Sequence, residues 1–446
     1  MTDLNDLTKD MPIAKALLEN DTESIAYIIA KSLPKSGAKV EDICIEKTVG
    51  EAFSGGRSTP IYRISCQVVR PNNNKRVRRH FVAKLVLMPG ENEDNGNAKS
   101  LPDKLWVKRE SYAVERRFYD CAAPKIRDYQ PLVGSGLTIP KLLASDRDGS
   151  KPWPAVCFLM NDLSTTGFPS HPEFLSTSQT KAALRWLATF HGLFWEEASA
   201  NKKSCTWTRD LWDRGGHWTA KYPAGKKTED IKIAKTGQLF SQTVCWLESK
   251  HPEVVSLEIK GLGKRLEAAA DPIADYLNVL SNGPLRTLIH GDYKAANMFL
   301  AGNGIDKEDQ EGGGAGQVAV LDFQFAGIGV GAEDVAYLLF PDAKGNYFDT
   351  EEELLECYHE ELICQLMAQS KGGPSSLPFR TFRALYALSQ LDLLRHLLGR
   401  GWVGSTEGDA KLVSALEDTM NQIDGGNHLA SKDQYSKAIA AFVGAS

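Results

Sequence analysis

The sequence predicts an α+β chain in two lobes: a small antiparallel β-rich half holding one key helix, then a larger, mainly helical half. Three observations predict it. Strand-length apolar runs punctuated by turn residues dominate residues 43–88. Beyond residue 163 the apolar residues recur at helical spacing. Strands first and helices after is a segregated order, unlike the alternation that builds a parallel sheet. The expected divisions are a helical segment at 1–40, a β-rich lobe at 41–162 and a helical lobe at 163–446.

A helix is expected over 11–33, where Ile13, Ala16 and Leu17, then Ile25, Ile28 and Ile29, keep helical spacing. Residues 43–48, 60–69 and 79–88 read as an antiparallel meander. Pro71-Asn72-Asn73-Asn74-Lys75 supplies the turn between the second and third strands. The next helix is expected over 108–121, since Tyr112, Val114, Phe118 and Tyr119 can share a stripe. Segments 137–143 and 154–160 resemble two further strands. Residues 178–198 form the clearest helix, with Leu184, Leu187, Phe190 and Phe194 at helical spacing. Two β-compatible pieces, 281–300 and 317–325, flank a charged and glycine-rich stretch that reads as a flexible surface insertion. Helices resume from about 333. No internal repeat stands out.

Composition narrows the function. Of 446 residues, 42% are hydrophobic, enough to bury a core, so the chain is not mainly disordered. Lys and Arg number 52 against 57 Asp and Glu, a net charge of -5. That balance argues against a nucleic-acid partner, which calls for a basic face. No apolar stretch is long enough to span a membrane, and the acidic N-terminus is unlike a secretory leader. The last residues match no anchor signal. The eight cysteines form no C-x-x-C pair, so free thiols in a reducing compartment are expected, in the cytoplasm or an organelle.

The chemistry concentrates in two segments. Leu288-Ile289-His290-Gly291-Asp292-Tyr293-Lys294-Ala295-Ala296-Asn297-Met298-Phe299-Leu300 sets an acid, a lysine and an asparagine between apolar runs. Val318-Ala319-Val320-Leu321-Asp322-Phe323-Gln324-Phe325 ends an apolar strand on a carboxylate. Phosphoryl transfer from ATP needs this set. Mg²⁺ takes oxygen ligands, usually one or two side chains plus phosphates, and Asn297 and Asp322 can supply them. Asp292 fits the acceptor of the attacking hydroxyl's proton, and Lys294 fits the cation beside the developing charge. The D-x-x-x-x-N spacing is that of the protein-kinase catalytic loop.

H-G-D-Y-K-A-A-N followed by L-D-F-Q-F-A-G-I-G-V-G-A-E-D-V-A-Y-L-L resembles the aminoglycoside phosphotransferase and choline kinase superfamily. Within it, D-F-Q and G-x-x-x-E-D-V-A-Y look most like the ecdysteroid-kinase-like group. The resemblance implies a protein-kinase-like fold and MgATP-dependent phosphorylation of a small-molecule alcohol, with catalysis by Asp292 and Lys294. It extends, more weakly, over about 45–400. Lys84 lies in an apolar strand, where an unpaired charge is costly. It resembles the third-strand lysine that holds nucleotide phosphates. Its partner is then Glu115, matching the group's E-x-x-F-Y, with Glu110 one turn away as the alternative. Asn161, Asp162 and Leu163 occupy the interlobe hinge position, where backbone groups would meet adenine. Asp334 looks structural, bracing the catalytic loop, and His290 does the same. His191 in Phe190-His191-Gly192-Leu193-Phe194-Trp195 resembles a packed core histidine.

Other features stay open or point elsewhere. Ser54-Gly55-Gly56 lies in a turn whose amides could approach phosphates or simply close a hairpin. Trp207, Trp212, Trp218 and Tyr222 could equally line a pocket or fill a core. Lys75-Arg76-Val77-Arg78-Arg79 reads as a solvated hairpin face. Gly327-Ile328-Gly329-Val330-Gly331-Ala332 satisfies G-x-G-x-x-A, but its upstream segments look antiparallel, against a dinucleotide site. The rival from another class is a kinase-like fold that binds nucleotide or partners without turnover. Retention of Lys84, Asp292, Asn297 and Asp322 favours the enzyme.

Overall fold

Glu19-Asn20-Asp21 divides the N-terminal segment. The expected single helix is two, α1 (Pro12–Leu18) and α2 (Thr22–Ser32). Asn20 turns through φ 55°. The Asp21 carboxylate caps α2, accepting from the amides of Glu23 at 3.1 Å and Ser24 at 3.0 Å. Local side-chain bonding of this kind competes with helix continuation. The computed structural model describes residues 11–33, 37–54, 57–71, 73–87, 101–129, 136–146, 155–195, 211–218, 235–280, 283, 285–301, 317–340, 350–369 and 377–445. Two compact units emerge: 1–119 with 139–169, and 120–138 with 170–446.

The N-terminal unit is built on five strands: β1 (Lys39–Ser54), β2 (Arg57–Val69), β3 (Arg76–Leu87), β4 (Leu142–Ser145) and β5 (Ala155–Asn161). Their order is β1-β2-β3-β5-β4, antiparallel throughout. The β2–β3 turn closes with Asn74 at φ 53° and its amide on the Arg70 carbonyl at 3.0 Å. Around it the basic run is solvated, as its composition suggests: Arg76 is 68% exposed and meets Glu41. The strand expected at 137–143 is shorter and later, β4, with Thr138 making only an isolated bridge to Ala319.

Alternation along these strands sorts the two faces. Tyr62, Ile64, Cys66 and Val68 on β2, Phe81, Ala83 and Leu85 on β3, and Cys157 and Leu159 on β5 share one core with α1 and α2. Successive side chains of a strand point to opposite faces, so Lys84, between Ala83 and Leu85, points away from that core. It meets α3 (Leu101–Arg117), which begins earlier than the sequence suggests. A wider-wound turn at Phe118–Ala122 leads on to α4 (Ala123–Asp128). Behind the first core, Asp146 accepts from the amides of Ile13 at 3.0 Å and Ala14 at 2.7 Å. Burial raises this carboxyl from 3.8 to about 6, against the pull of those two amides.

The C-terminal unit is mostly helical. Its first long helix, α5 (Thr177–Phe194), opens with a reciprocal Ser176–Gln179 cap. Leu184, Leu187, Phe190 and Phe194 are fully buried along its stripe. Then come α6 (Thr236–Lys250), α7 (Leu257–Leu280), α8 (Gly331–Leu339), α9 (Glu351–Ala368), α10 (Phe379–Gly399), α11 (Glu407–Asp424) and α12 (Lys432–Ala445). Between α7 and α8 the described residues form four short strands: β6 (Arg286–Ile289), β7 (Met298–Leu300), β8 (Val318–Val320) and β9 (Gly327–Val330). β6 pairs with β9 and β7 with β8, both antiparallel. The G-x-G-x-x-A segment is therefore β9 running into α8, outside any parallel βαβ unit, and is not a dinucleotide turn.

Among the described residues no helix is long and apolar enough to cross a membrane. The seven described cysteines are free thiols. Cys66 and Cys157 are buried, whereas Cys44, Cys121, Cys245 and Cys364 are exposed, so burial does not account for all of them.

Candidate active site

The short strand β6 delivers the chain to a tight loop. Gly291 there has φ 82°, and an added Cβ would run into the Phe325 carbonyl, so only glycine fits. The next residue, Asp292, is held at both carboxylate oxygens. Lys294 Nζ donates to Oδ1 at 3.0 Å, and Asn297 Nδ2 donates to Oδ2 at 3.0 Å. Asn297 Nδ2 also donates to the Asp292 carbonyl at 2.8 Å. Two acceptors on one nitrogen fix the amide's orientation, which turns Asn297 Oδ1 away from Asp292.

Asp322 is tied to the same place through backbone. β7 and β8 pair side by side, and the Leu321 amide donates to the Asn297 carbonyl at 3.0 Å. Asn297 and Asp322 thus sit at adjacent ends of one hairpin. Asp322 itself lies at φ 69°, an uncommon region for a residue with a side chain. Gln324 Nε2 donates to its Oδ1. An amide oxygen and a carboxylate make a hard-oxygen pair, which suits Mg²⁺ completed by phosphates. The described residues hold no cluster of three or more His, Cys, Asp or Glu that would cage a metal alone.

The loop is braced from behind. Both Asp334 oxygens accept loop amides, His290 N at 2.6 Å and Gly291 N at 2.9 Å. His290 receives the Asp292 amide on Nδ1 at 3.2 Å, so its Nε2–H donates to the Leu321 carbonyl at 3.0 Å. His290 therefore links the segment of Asp292 to that of Asp322. Deeper in, His191 Nε2 donates to Asp334 Oδ2 at 3.2 Å, and the Tyr358 hydroxyl donates to His191 Nδ1 at 2.8 Å. Burial, and then Asp334, push the Tyr358 hydroxyl well above its usual range, which keeps it a donor. His191 is fully buried, a core histidine with a task. Gly331 leaves room for this chain of bonds, since a Cβ there would stand 2.7 Å from His191 Nδ1.

One contributor is absent from the sequence reading. Residues 211–218 run alongside the segment after Asp322. The Trp212 amide donates to Ala326, the Ile328 amide to Trp212, the Gly215 amide to Ile328 and the Gly216 amide to Phe325. The Trp212 indole donates to the Gln324 carbonyl at 2.8 Å. Arg214 grips Glu333 with both terminal nitrogens, one at 2.7 Å. Burial raises Glu333, and Arg214 opposes that shift. Anchored this way, the segment sets His217 beside the Gly291–Asp292 loop, with Nδ1 3.3 Å from the Gly291 carbonyl and 3.9 Å from Asp292 Oδ1. No spacing rule joins residue 217 to residue 292; only the cluster of tryptophans marked the region. Trp212 and Trp218 are 5% and 1% exposed, so they are core aromatics. Trp207 and Tyr222 lie outside the described residues.

In the N-terminal unit, Lys84 Nζ meets Glu115 Oε2 at 2.8 Å and stands 5.4 Å above the Tyr112 ring. Glu110 pairs instead with Arg117 at 2.7 Å. Asn161 and Asp162 are committed to structure. Asn161 Oδ1 accepts from the Lys141 amide, Asp162 Oδ1 accepts from Ser164, and their own amides donate to the Lys141 and His80 carbonyls. Asp162 caps the short turn Leu163–Thr165, and Leu163 is buried. Ser54 ends β1, opposite Arg57. Gly55 and Gly56 lie outside the described residues.

The model of the ecdysteroid kinase-like family matches residues 56–370. Among curated proteins none matches significantly. Among solved structures, a microcompartment-associated aminopropanol kinase is 15% identical with a TM-score of 0.42, over 86% of this chain and 93% of that one. An amicoumacin kinase in complex with AMP-PNP, Ca²⁺ and Ami is 10% identical with a TM-score of 0.42, over 84% and 88%. An aminoglycoside-3'-phosphotransferase of type VIII is 14% identical with a TM-score of 0.28, over 84% and 93%.

Proposed function

The chain belongs to the ecdysteroid kinase-like family, and from that premise we propose that it transfers the terminal phosphoryl group of ATP to a hydroxyl of a small molecule, with Mg²⁺. The observation that carries the reading is the arrangement about Asp292. Lys294 and Asn297 hold its carboxylate, and Asn297 Oδ1 and Asp322 lie at adjacent ends of one hairpin.

Asp292 orients the acceptor and takes its proton; in this role it is the catalytic base. Lys294 is half exposed, so it can leave Asp292 Oδ1 for the charge that grows on the transferring group. Asn297 Oδ1 and Asp322 hold Mg²⁺, which offsets the charge of the phosphates when bound. Lys84, fixed by Glu115, holds nucleotide phosphates. Asp334, His191 and His290 touch no substrate; they set the loop on which Asp292 sits. We place the protein in the cytoplasm, where the seven free thiols stay reduced.

Thermal unfolding with and without MgATP tests the reading, on wild type and Asp322→Asn. A ligand at about 100 times its dissociation constant stabilises by about 2.7 kcal/mol, a rise of a few degrees. The expected result is a Mg²⁺-dependent rise in wild type that Asp322→Asn removes. No rise at saturating MgATP would overturn the nucleotide site, and an equal rise in the variant would overturn the metal role of Asp322.

A further inference from the structure

We infer that Arg214 is a positioning residue for Asp322: through residues 212–216 it holds the chain that follows Asp322, and so sets the direction of that carboxylate. The inference rests on the proposed reading of Asp322 as a Mg²⁺ ligand, and it adds a residue that the two sequence motifs do not contain.

Three observations carry it. First, Asp322 is supported on both sides. Its φ of 69° is costly for a residue with a Cβ and persists where the surroundings over-determine it. Before it, the Leu321 amide donates to the Asn297 carbonyl and the Leu321 carbonyl accepts from His290 Nε2, both at 3.0 Å. After it, the chain is tied to 212–216. The Gln324 carbonyl accepts from the Trp212 indole at 2.8 Å, the Phe325 carbonyl from the Gly216 amide at 3.1 Å and the Ala326 carbonyl from the Trp212 amide at 3.3 Å. Second, these two stretches touch backbone to backbone. A Cβ on Gly327 would stand 2.4 Å from the Trp212 carbonyl oxygen, and one on Gly215 would stand 3.0 Å from the Gly327 backbone. Contact this close passes a shift of 212–216 on to the chain after Asp322. Third, Arg214 fixes 212–216 to a helix. Both its terminal nitrogens donate to Glu333 in the first turn of α8, one at 2.7 Å, and the pair is 7% and 1% exposed. A bidentate fork sets direction as well as distance. The Val330 amide orients Glu333 in turn, at 2.9 Å.

The two acids that open α8 thus divide a task. Asp334 accepts the amides of His290 and Gly291, and so sets the loop of Asp292. Glu333 acts through Arg214 on the segment of Asp322. One helical turn places the proposed base relative to the proposed metal ligand. The far end of 211–218 keeps its own tie, the Trp218 carbonyl accepting from Arg395 at 2.6 Å. Loss of Arg214 therefore loosens the strip without detaching it.

The test is calorimetric titration of the full chain with ATP, in excess Mg²⁺ and in EDTA. The ratio of the two dissociation constants reads the metal site, and it compares one folded protein with itself whatever the unfolding temperature. Wild type and Asp322→Asn set the two ends of the scale. The double variant Arg214→Met with Glu333→Gln removes the fork, leaves no unpaired charge behind and keeps an oxygen for the Val330 amide. Trp212→Phe removes the indole donor to Gln324. The expected result is a ratio lower by about 10-fold in the double variant, with ATP affinity in EDTA close to wild type. Trp212→Phe should show a smaller fall of the same kind. A wild-type ratio in the double variant would overturn the inference alone. So would an equal loss of ATP affinity with and without Mg²⁺, the mark of a merely structural role. If the double variant does not fold, Trp212→Phe decides by the same two outcomes. A wild-type ratio no higher than that of Asp322→Asn would overturn the metal reading of Asp322 and this inference with it.

Discussion

Two lysines hold carboxylates at nearly equal distance, Lys84 on Glu115 at 2.8 Å and Lys294 on Asp292 at 3.0 Å, in opposite settings. The first pair is 14% and 1% exposed, the second 45% and 10%. In the buried pair the loss of one charge is costly, because little water reaches the other. In the open pair the lysine can exchange its carboxylate for water or for an incoming anion at little cost. The same two residue types thus make an enclosed contact in the N-terminal unit and a water-exposed one in the C-terminal unit.

That contrast can be broken at either end. The largest effect is expected at Asp292, the proposed base in the open pair. Asp292→Asn should lower turnover by about 100- to 10,000-fold while MgATP affinity holds. Steady-state kinetics with nucleotide titration checks this, and near-normal turnover would sink the base assignment. Next is the buried pair. Glu115→Ala should cost the N-terminal unit about 3 kcal/mol, because the largely enclosed Lys84 loses the carboxylate it holds. Urea unfolding measures that loss, and pairing the change with Lys84→Met should recover much of it. The smallest effect on stability is expected for Lys294→Met, within about 0.5 kcal/mol, although turnover falls. A stability loss as large as that of Glu115→Ala would erase the distinction between the two pairs.

Readability from sequence followed the same divide between local and distant. Asp292, Lys294 and Asn297 sit within six residues, so one loop displays them together, and His290-Gly291 before them with the strand ending on Asp322 behind marked them out. The α5 stripe was readable because Leu184, Leu187, Phe190 and Phe194 repeat on a single helix. The break at Asn20 was missed, since the apolar spacing continues across it while the Asp21 cap turns the backbone. His217 was missed for a different reason. It reaches the catalytic loop through pairing of residues 211–218 with residues far along the chain, and local pattern does not encode such register. Asp334 was readable as a brace, but its continuation through His191 to Tyr358 joins three helices and left no motif.

The pairing of 211–218 also bears on the order in which the protein matures. Trp212 reaches Gln324 across 112 residues, and His217 reaches the Gly291 carbonyl across 74. Contacts so remote in sequence cannot form while the ribosome still holds the later one. They also close late in refolding, after helices that need only their own residues. The α5 helix and the early C-terminal helices can therefore exist before residues 211–218 have their partners. The pairing beside Asp292 is complete only when the chain beyond Ile328 has been released and folded back.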